Sequence, residues 1–343
     1  EDEEGDEVVL EDNNTKEGSS VKFSDVKRFG TMFWLLVVSC LVVYGCVLPF
    51  NNVASGILLE RNYFVDPAPD CQLRYPDQCT LGTLQKGSNP STDANGNDCP
   101  TTAKFSPVLP SSINVTEYQE GWHHKQYVYP TLTPDHVDCG DPFWSTSCTS
   151  NYCVAQNAAT EKAGAVMSIP YLMSAILAPI FGFVVDKIGY RAVMTTLAPL
   201  ALMIVHLVLA FHPSSSPVGP LIGQGLAYSL FAAVIWPSVP LTVEERLTGT
   251  AYGVITSVQN VGLALFPLII AGIYTASGQK YIPSVEIFFV LCAVLGLIAG
   301  VLLNIYDRRY GGKLNAPSKV IEDKEEFHLS GRTLVNMSAA EII

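Results

Sequence analysis

Six long apolar stretches, each near the roughly 20 residues that carry a helix across a bilayer, constrain this chain more than any other feature. They run from Phe29 to Phe50, Ala163 to Val185, Ala192 to Phe211, Gly219 to Val243, Thr250 to Ser277 and Ile287 to Ile305, and His206 is the one His, Lys, Arg, Asp or Glu inside them. A soluble helix of such length keeps a polar face, whereas a helix in lipid satisfies its own backbone and needs none. The expected fold class is therefore an all-α membrane protein with six transmembrane helices between residues 29 and 306.

Charge is confined to the ends and to one long loop. Residues Glu1 to Asp25 hold ten acids and two lysines. Such a segment buries too little apolar surface to offset its ordering entropy, so residues 1–28 are expected to be disordered. The chain starts at Glu1 without a signal sequence and reads as a piece of something longer. Short-loop lysines and arginines set an orientation. Lys22, Lys27 and Arg28 precede the first stretch, Lys187 and Arg191 follow the second, Arg246 follows the fourth, and Arg308, Arg309 and Lys313 follow the sixth. These ends are expected in the cytosol, together with residues 1–28 and a tail at 307–343. The loop at 65–157 is then luminal or extracellular.

That loop carries Cys71, Cys79, Cys99, Cys139, Cys148 and Cys153, an even number in a segment that looks too polar for a core of its own. Three disulfides in an oxidising compartment are expected, in any of fifteen pairings. Zinc is the rival use, with His123, His124 and His136 nearby, but no two of these cysteines have a Cys-x2-Cys spacing. Asn114-Val-Thr116 is the usable glycosylation sequon of the loop, because proline blocks Asn89-Pro90-Ser91.

The most specific local pattern follows the second stretch: Gly182-Phe-Val-Val-Asp186-Lys187-Ile-Gly189-Tyr-Arg191. Gly182 would allow a helix to approach closely, Asp186 and Lys187 would hold a tight turn, and Gly189 would supply a backbone angle other residues resist. The pattern resembles the Gly-x-x-x-Asp-Arg/Lys-x-Gly-x-Arg signature of the major facilitator superfamily. Gly249-Thr-Ala-Tyr-Gly253 with Gln259-Asn260-Val-Gly262, Leu226-Ala-Tyr-Ser-Leu230, Trp236-Pro-Ser-Val-Pro240 and Gly311-Gly-Lys-Leu-Asn315 extend the resemblance. Within that superfamily they are similar to a lysosomal branch of dipeptide carriers with an accessory luminal glycoprotein subunit.

The position of the signature implies helices 7 to 12, two inverted three-helix repeats, with the acidic segment as the linker from a missing N-terminal half. It implies a small-molecule or dipeptide substrate held near the bilayer midplane and moved by alternating access. The first helix of each repeat would line the cavity, supplying Tyr44, Asn51 and Asn52, and Tyr228 and Trp236. The second helices would supply Ser168, Tyr171, Gln259 and Asn260 and abut the other half. The third, with His206 and the Gly296/Gly300 pair, would lie outermost. Trp236 also suits a packed core, Asn51 and Asn52 a simple helix break, and adjacent Gln259 and Asn260 cannot face the same way.

No carboxylate lies in the middle of a stretch, no His-Glu-x-x-His helix is present, and no glycine-rich phosphate loop occurs. Enzyme chemistry, a cofactor and nucleic acid are not expected. The alternative of another class is a multi-pass receptor or auxiliary subunit that binds a partner through its disulfide-bonded loop.

Overall fold

The computed structural model describes residues 23–67, 71, 78–79, 99 and 104–321. Residues 1–22 of the expected disordered segment, most of the cysteine-rich loop before residue 104, and most of the tail lie outside them, while residues 23–28 of that segment are helical instead. Among the described residues, six helices are long and apolar enough to cross a membrane.

A short 3₁₀ segment, Phe23–Arg28, leads into α1, Thr31–Leu58, which does not stop at Phe50 but continues into a π-helical turn, Leu59–Tyr63. Then come β1 (Gln78–Cys79), β2 (Ser112–Glu120), β3 (His123–Tyr129) and the short α2 (Pro142–Thr146). The remaining helices are α3 (Ser150–Ile188), α4 (Arg191–Phe211), α5 (Val218–Ser238), α6 (Thr248–Ala276) and α7 (Ser284–Arg309). The fourth stretch, read as one span to Val243, is helical only to Ser238. Pro237 and Pro240 remove backbone donors there, and a 3₁₀ turn, Pro240–Thr242, follows.

Helix α1 forms the centre, packing against α7 and α6, while α4 pairs with α7 and with α5, and α3 with α5. Its buried face, including Phe33, Leu36, Cys40, Val43, Val47, Phe50 and Ile57, anchors the bundle core. Helices α3 and α6 are the least buried. They expose apolar rows, Tyr171, Leu172, Ile176, Ile180 and Phe183 on the one and Val261, Leu265, Leu268 and Ile269 on the other. Helices α4 and α7, expected outermost, pair with each other along the bundle. Gly300 explains how closely: a methyl group there would come within 2.7 Å of Thr196 Oγ1 and 3.1 Å of the Thr195 carbonyl. The Gly296/Gly300 pair therefore seats helices of this bundle.

The loop corrects the expectation that it lacks a core. Strands β1, β2 and β3 form one sheet in that order, with β2 and β3 an antiparallel hairpin. Ile113 and Val115 point inward while Asn114 between them is exposed, the period of two that puts the sequon on the surface. Ile113, Val115, Tyr127, Leu132, Val137, Phe143, Trp144, Tyr152 and Cys153 form a second buried cluster, with Tyr127 stacked on Phe143 at 3.8 Å. The core was hidden because its aromatic residues are scattered over the hairpin, α2 and the first turn of α3. Disulfides join Cys71 to Cys99 and Cys139 to Cys153, and Cys148 is also disulfide-bonded. The side chain of Cys79 lies outside the described residues. Helix α3 enters this lobe, which is why it begins at Ser150 rather than at Ala163.

Candidate functional site

Pro240 leaves the carbonyl of Trp236 without its normal helical donor, and the hydroxyl of Tyr252 on α6 supplies one at 3.0 Å. The indole Nε1–H of Trp236 donates in turn to the hydroxyl of Tyr44 on α1, 2.9 Å away. Tyr44 meets Tyr228 and Phe231 of α5 edge-on, at ring separations of 6.0 and 5.7 Å, and Trp236 lies 6.3 Å from Tyr252 with near-parallel rings. Three helices thus converge on one aromatic group, in which Tyr44 is buried and Tyr228, Trp236 and Tyr252 are half-buried. Tyr252 was not among the expected site residues, although it is the tyrosine of the Gly249–Gly253 pattern.

A row of amides adjoins it. Gln224, one helical turn before Tyr228, is fully buried, and its Nε2 donates to Asn51 Oδ1 at 3.3 Å while its own Oε1 has no partner. The i, i+4 spacing of Gln224 and Tyr228 is the signal that could have found it. Gln259 Oε1 lies 4.0 Å from Cys40 Sγ on α1, whereas Asn260 is exposed, so the two amides do face different ways. Asn52 and Tyr171 are exposed, and Ser168 donates to the Ala165 carbonyl within its own helix. The structure gathers Tyr44, Tyr228 and Trp236, and pairs Asn51 with Gln224. It does not join Tyr171 or Asn260 to them through a hydrogen bond.

A carboxylate is buried inside the bundle, although none lies in the middle of a stretch. Glu286 is in the first turn of α7, fully buried, and its Oε2 is 2.7 Å from Nδ1 of His206 on α4. The Nε2 of His206 lies 3.2 Å from Cys46 Sγ on α1, with the rings of Phe50 and Phe289 against the imidazole. Glu286 stands one residue before the apolar run that was read as the span. An acid at such an edge looks like loop until its partner is known.

At one end of the bundle, here the turn end, Gly189 has φ +74°, and a methyl group there would meet the Asn315 carbonyl at 2.5 Å. Arg191, nearly buried, donates to Asp186 Oδ1 at 2.9 Å, to Ser318 Oγ at 2.7 Å and to the Ala316 carbonyl. The chain after α7 folds back as a strap. Tyr190 and Arg191 donate their amides to the Asn315 and Leu314 carbonyls, while buried Asp307 accepts from the Leu314 amide and from Asn315 Nδ2. So Gly189 takes the left-handed backbone angle, Asp186 pairs with Arg191, and Arg191 and the strap hold the turn. Lys187 is exposed, and no other helix of the chain approaches Gly182.

At the opposite, lobe end the sequence reading had noted neither holding residue. Glu60 accepts from the amides of Tyr281 and Ile282 just ahead of α7, at 2.6 and 3.2 Å. Arg61, 2% exposed, donates to the carbonyls of Leu209, Ser215 and His212 at the end of α4. Outside the membrane, Asp141 N-caps α2 through the Phe143 amide and accepts from Tyr127 and Lys125. Burial by itself would raise its pKa, but the Tyr127 hydroxyl, that amide and the Lys125 ammonium outweigh it and hold the carboxyl below its usual range.

Six membrane-length helices, a turn built around Asp186, Gly189 and Arg191, and an aromatic group shared by three helices are features of a membrane transporter rather than of an enzyme. Residues 140–336 match the signature of the Major Facilitator Superfamily, and the chain belongs to that family. Among characterised relatives, it is 36% identical over 169 residues to the human and mouse proteins named lysosomal dipeptide transporter MFSD1. It is 36% identical over 154 residues to the zebrafish protein of the same name. The matched part is 49% of this chain and 36% of the human protein, so the chain spans about a third of the length of the relatives it matches.

Proposed function

We propose that this chain is the C-terminal half, helices 7 to 12, of a carrier that moves small organic solutes, short peptides above all, across the lysosomal membrane by alternating access. The six helices act as two inverted three-helix repeats, and α3 and α6, with their exposed apolar rows, abut an N-terminal six-helix half. Both ends of the chain lie in the cytosol, with residues 1–28 as the linker to that half and 307–343 as the tail. The disulfide-bonded lobe at 65–157, glycosylated at Asn114, faces the lumen and meets any accessory glycoprotein subunit.

The observation that carries this reading is the group around Trp236. Its indole is fixed by Tyr44 yet remains half exposed, beside the Asn51–Gln224 amide pair. Flat apolar surface next to uncharged hydrogen-bonding groups suits peptides of varied side chains, whose backbone amides are constant. Tyr228 and Gln259 complete that wall, while Tyr171 and Asn260 meet the substrate from the neighbouring helices. The relatives bear the name of dipeptide transporters, which points the same way.

The test is uptake of dipeptides and of single amino acids into vesicles carrying the complete protein. Dipeptide uptake should saturate and single amino acids should compete poorly. Trp236→Phe keeps a flat apolar face and retains most transport, whereas Trp236→Ala raises the half-saturation concentration about tenfold, equivalent to roughly 1.4 kcal/mol. A lower melting temperature with unchanged affinity in Trp236→Ala would assign the indole to packing alone.

A further inference from the structure

Near the turn end, α4 and α7 leave a groove of about 350 Å³ lined by Val193, Thr196, Leu197, Val301, Asn304 and Ile305 and by Arg308 of the last turn of α7. We infer that this groove binds an anionic phospholipid, an acyl chain lying between α4 and α7 and the phosphate held by Arg308.

The polar groups of the lining are already spent. Asn304 Nδ2 donates to the Ala192 carbonyl at 2.6 Å, to Thr196 Oγ1 at 2.8 Å and to the Gly300 carbonyl at 3.0 Å, and its Oδ1 accepts from Asn315. Thr196 gives its hydroxyl proton to Ala192. The walls therefore present hydrocarbon, with Leu197, Val301 and Ile305 exposed along them. Arg308 differs. It stands in the last turn of α7, exposed, in no ion pair among the described residues. Its neighbour Asp307 is buried and turned to the Leu314 and Asn315 amides, and it forms no ion pair with Arg308.

An apolar slot closed at its aqueous end by a cation, on a surface that crosses a membrane, matches a molecule with a hydrocarbon body and an anionic head. A guanidinium binds a phosphate through two parallel hydrogen bonds, and basic residues at a membrane edge draw anionic lipids. Arg309 and Lys313 add to the field there. A soluble anion would leave the slot unfilled, and a zwitterionic lipid would bring its own ammonium beside Arg308, so a head of net negative charge fits best. The inference rests on the chain crossing a membrane and not on what it carries.

The complete protein, delipidated in detergent and mixed with equal amounts of phosphatidylserine and phosphatidylcholine, is examined by native mass spectrometry. Phosphatidylserine should be retained at least tenfold over phosphatidylcholine. Arg308→Gln should bring the two to parity, and Arg308→Lys should keep most of the preference. Val301→Trp, or Leu197→Phe if the first is poorly expressed, should lower retention of both lipids by filling the slot. Parity in the wild type, an unchanged preference in Arg308→Gln, or displacement of the lipid by millimolar inorganic phosphate would overturn the site. So would retention that arises only after truncation at Ile321, since the groove would then belong to the acidic tail of the chain.

Discussion

At the lobe end of the bundle, an acid and an arginine on one helix hold two others, whereas at the turn end the chain after α7 folds back and is held by backbone and side chains together. Glu60 accepts the amides ahead of α7, and Arg61 gathers the carbonyls that close α4. An acid thus meets a helix start and a cation a helix finish, the arrangement that helix dipoles favour. At the other end Gly189 and Arg191 lie against residues Leu314 to Ser318, and the Asp186–Arg191 ion pair has its carboxylate side chain 63% exposed to solvent. A buried cage of this kind is lost only with the fold. The strap is held by Asp307 and Arg191 as well as by backbone, but it lies outside the helices and meets the bundle at one end alone. The contrast is between helices clasped directly by side chains that follow α1 and helices joined through a returning segment of chain.

Arg61→Leu should break the first half of that comparison most severely. It strands buried carbonyls of α4 together, and a loss of about 3–5 kcal/mol is expected from charged hydrogen bonds removed at a buried site. Loss of folded protein in detergent checks it. Arg61→Lys should recover little, because one ammonium cannot span carbonyls that a planar fork reaches. Gly189→Ala should cost about 1–3 kcal/mol for its backbone conformation, and the new methyl group pushes on the Asn315 carbonyl. New protease cleavage within residues 311–321, with the helical melt little changed, would show the strap lifting alone. Equal loss of strap and bundle would abolish the distinction between the ends.

Smaller effects sharpen it. In the lobe, Asp141→Ala removes the α2 cap and should cost about 1 kcal/mol. Because the Asp141 carboxyl titrates lower folded than unfolded, its contribution is complete above the ordinary carboxylate range and fades as pH falls through the folded value. Lobe stability measured by proteolysis between pH 7 and strong acid should therefore drop in the wild type and less in Asp141→Asn. The least stability change is expected at Asp186. An exposed pair contributes about 0–1 kcal/mol, so Asp186→Asn should leave melting nearly unaltered. Its inward to outward balance should shift by about 1–3 kcal/mol, read from the accessibility of cysteine probes at the turn. Unchanged accessibility would remove Asp186 from any switching role.

The membrane spans were legible because lipid imposes a demand that each stretch meets by itself. The Gly182–Arg191 pattern was visible as a local motif, but its partners at residues 314–318 were not. What failed was long-range. Nothing local says that Trp236 binds a hydroxyl 192 positions away, or that His206 faces Glu286 across two helices. Gln224 was overlooked as an isolated amide in an apolar run, though its spacing to Tyr228 was visible. Glu60 and Arg61 lie beyond the Phe29–Phe50 stretch, and only the fold shows what they grip. The lobe was misjudged by composition, which averages over Tyr127, Phe143, Trp144 and Tyr152 and cannot foresee their assembly.

Helix α3 has one more consequence. Its 39 residues begin inside the lobe, where Cys153 is tied to Cys139 and Tyr152 sits in the aromatic cluster, and end at the Gly189 turn. At 1.5 Å per residue the rod is roughly 58 Å long, longer than the bilayer core is thick. It is therefore a lever with a handle on one side of the membrane and a latch on the other. Whatever tilts the lobe applies torque to the turn with no intermediate part, and Pro170 and Pro179 mark where the shaft can flex.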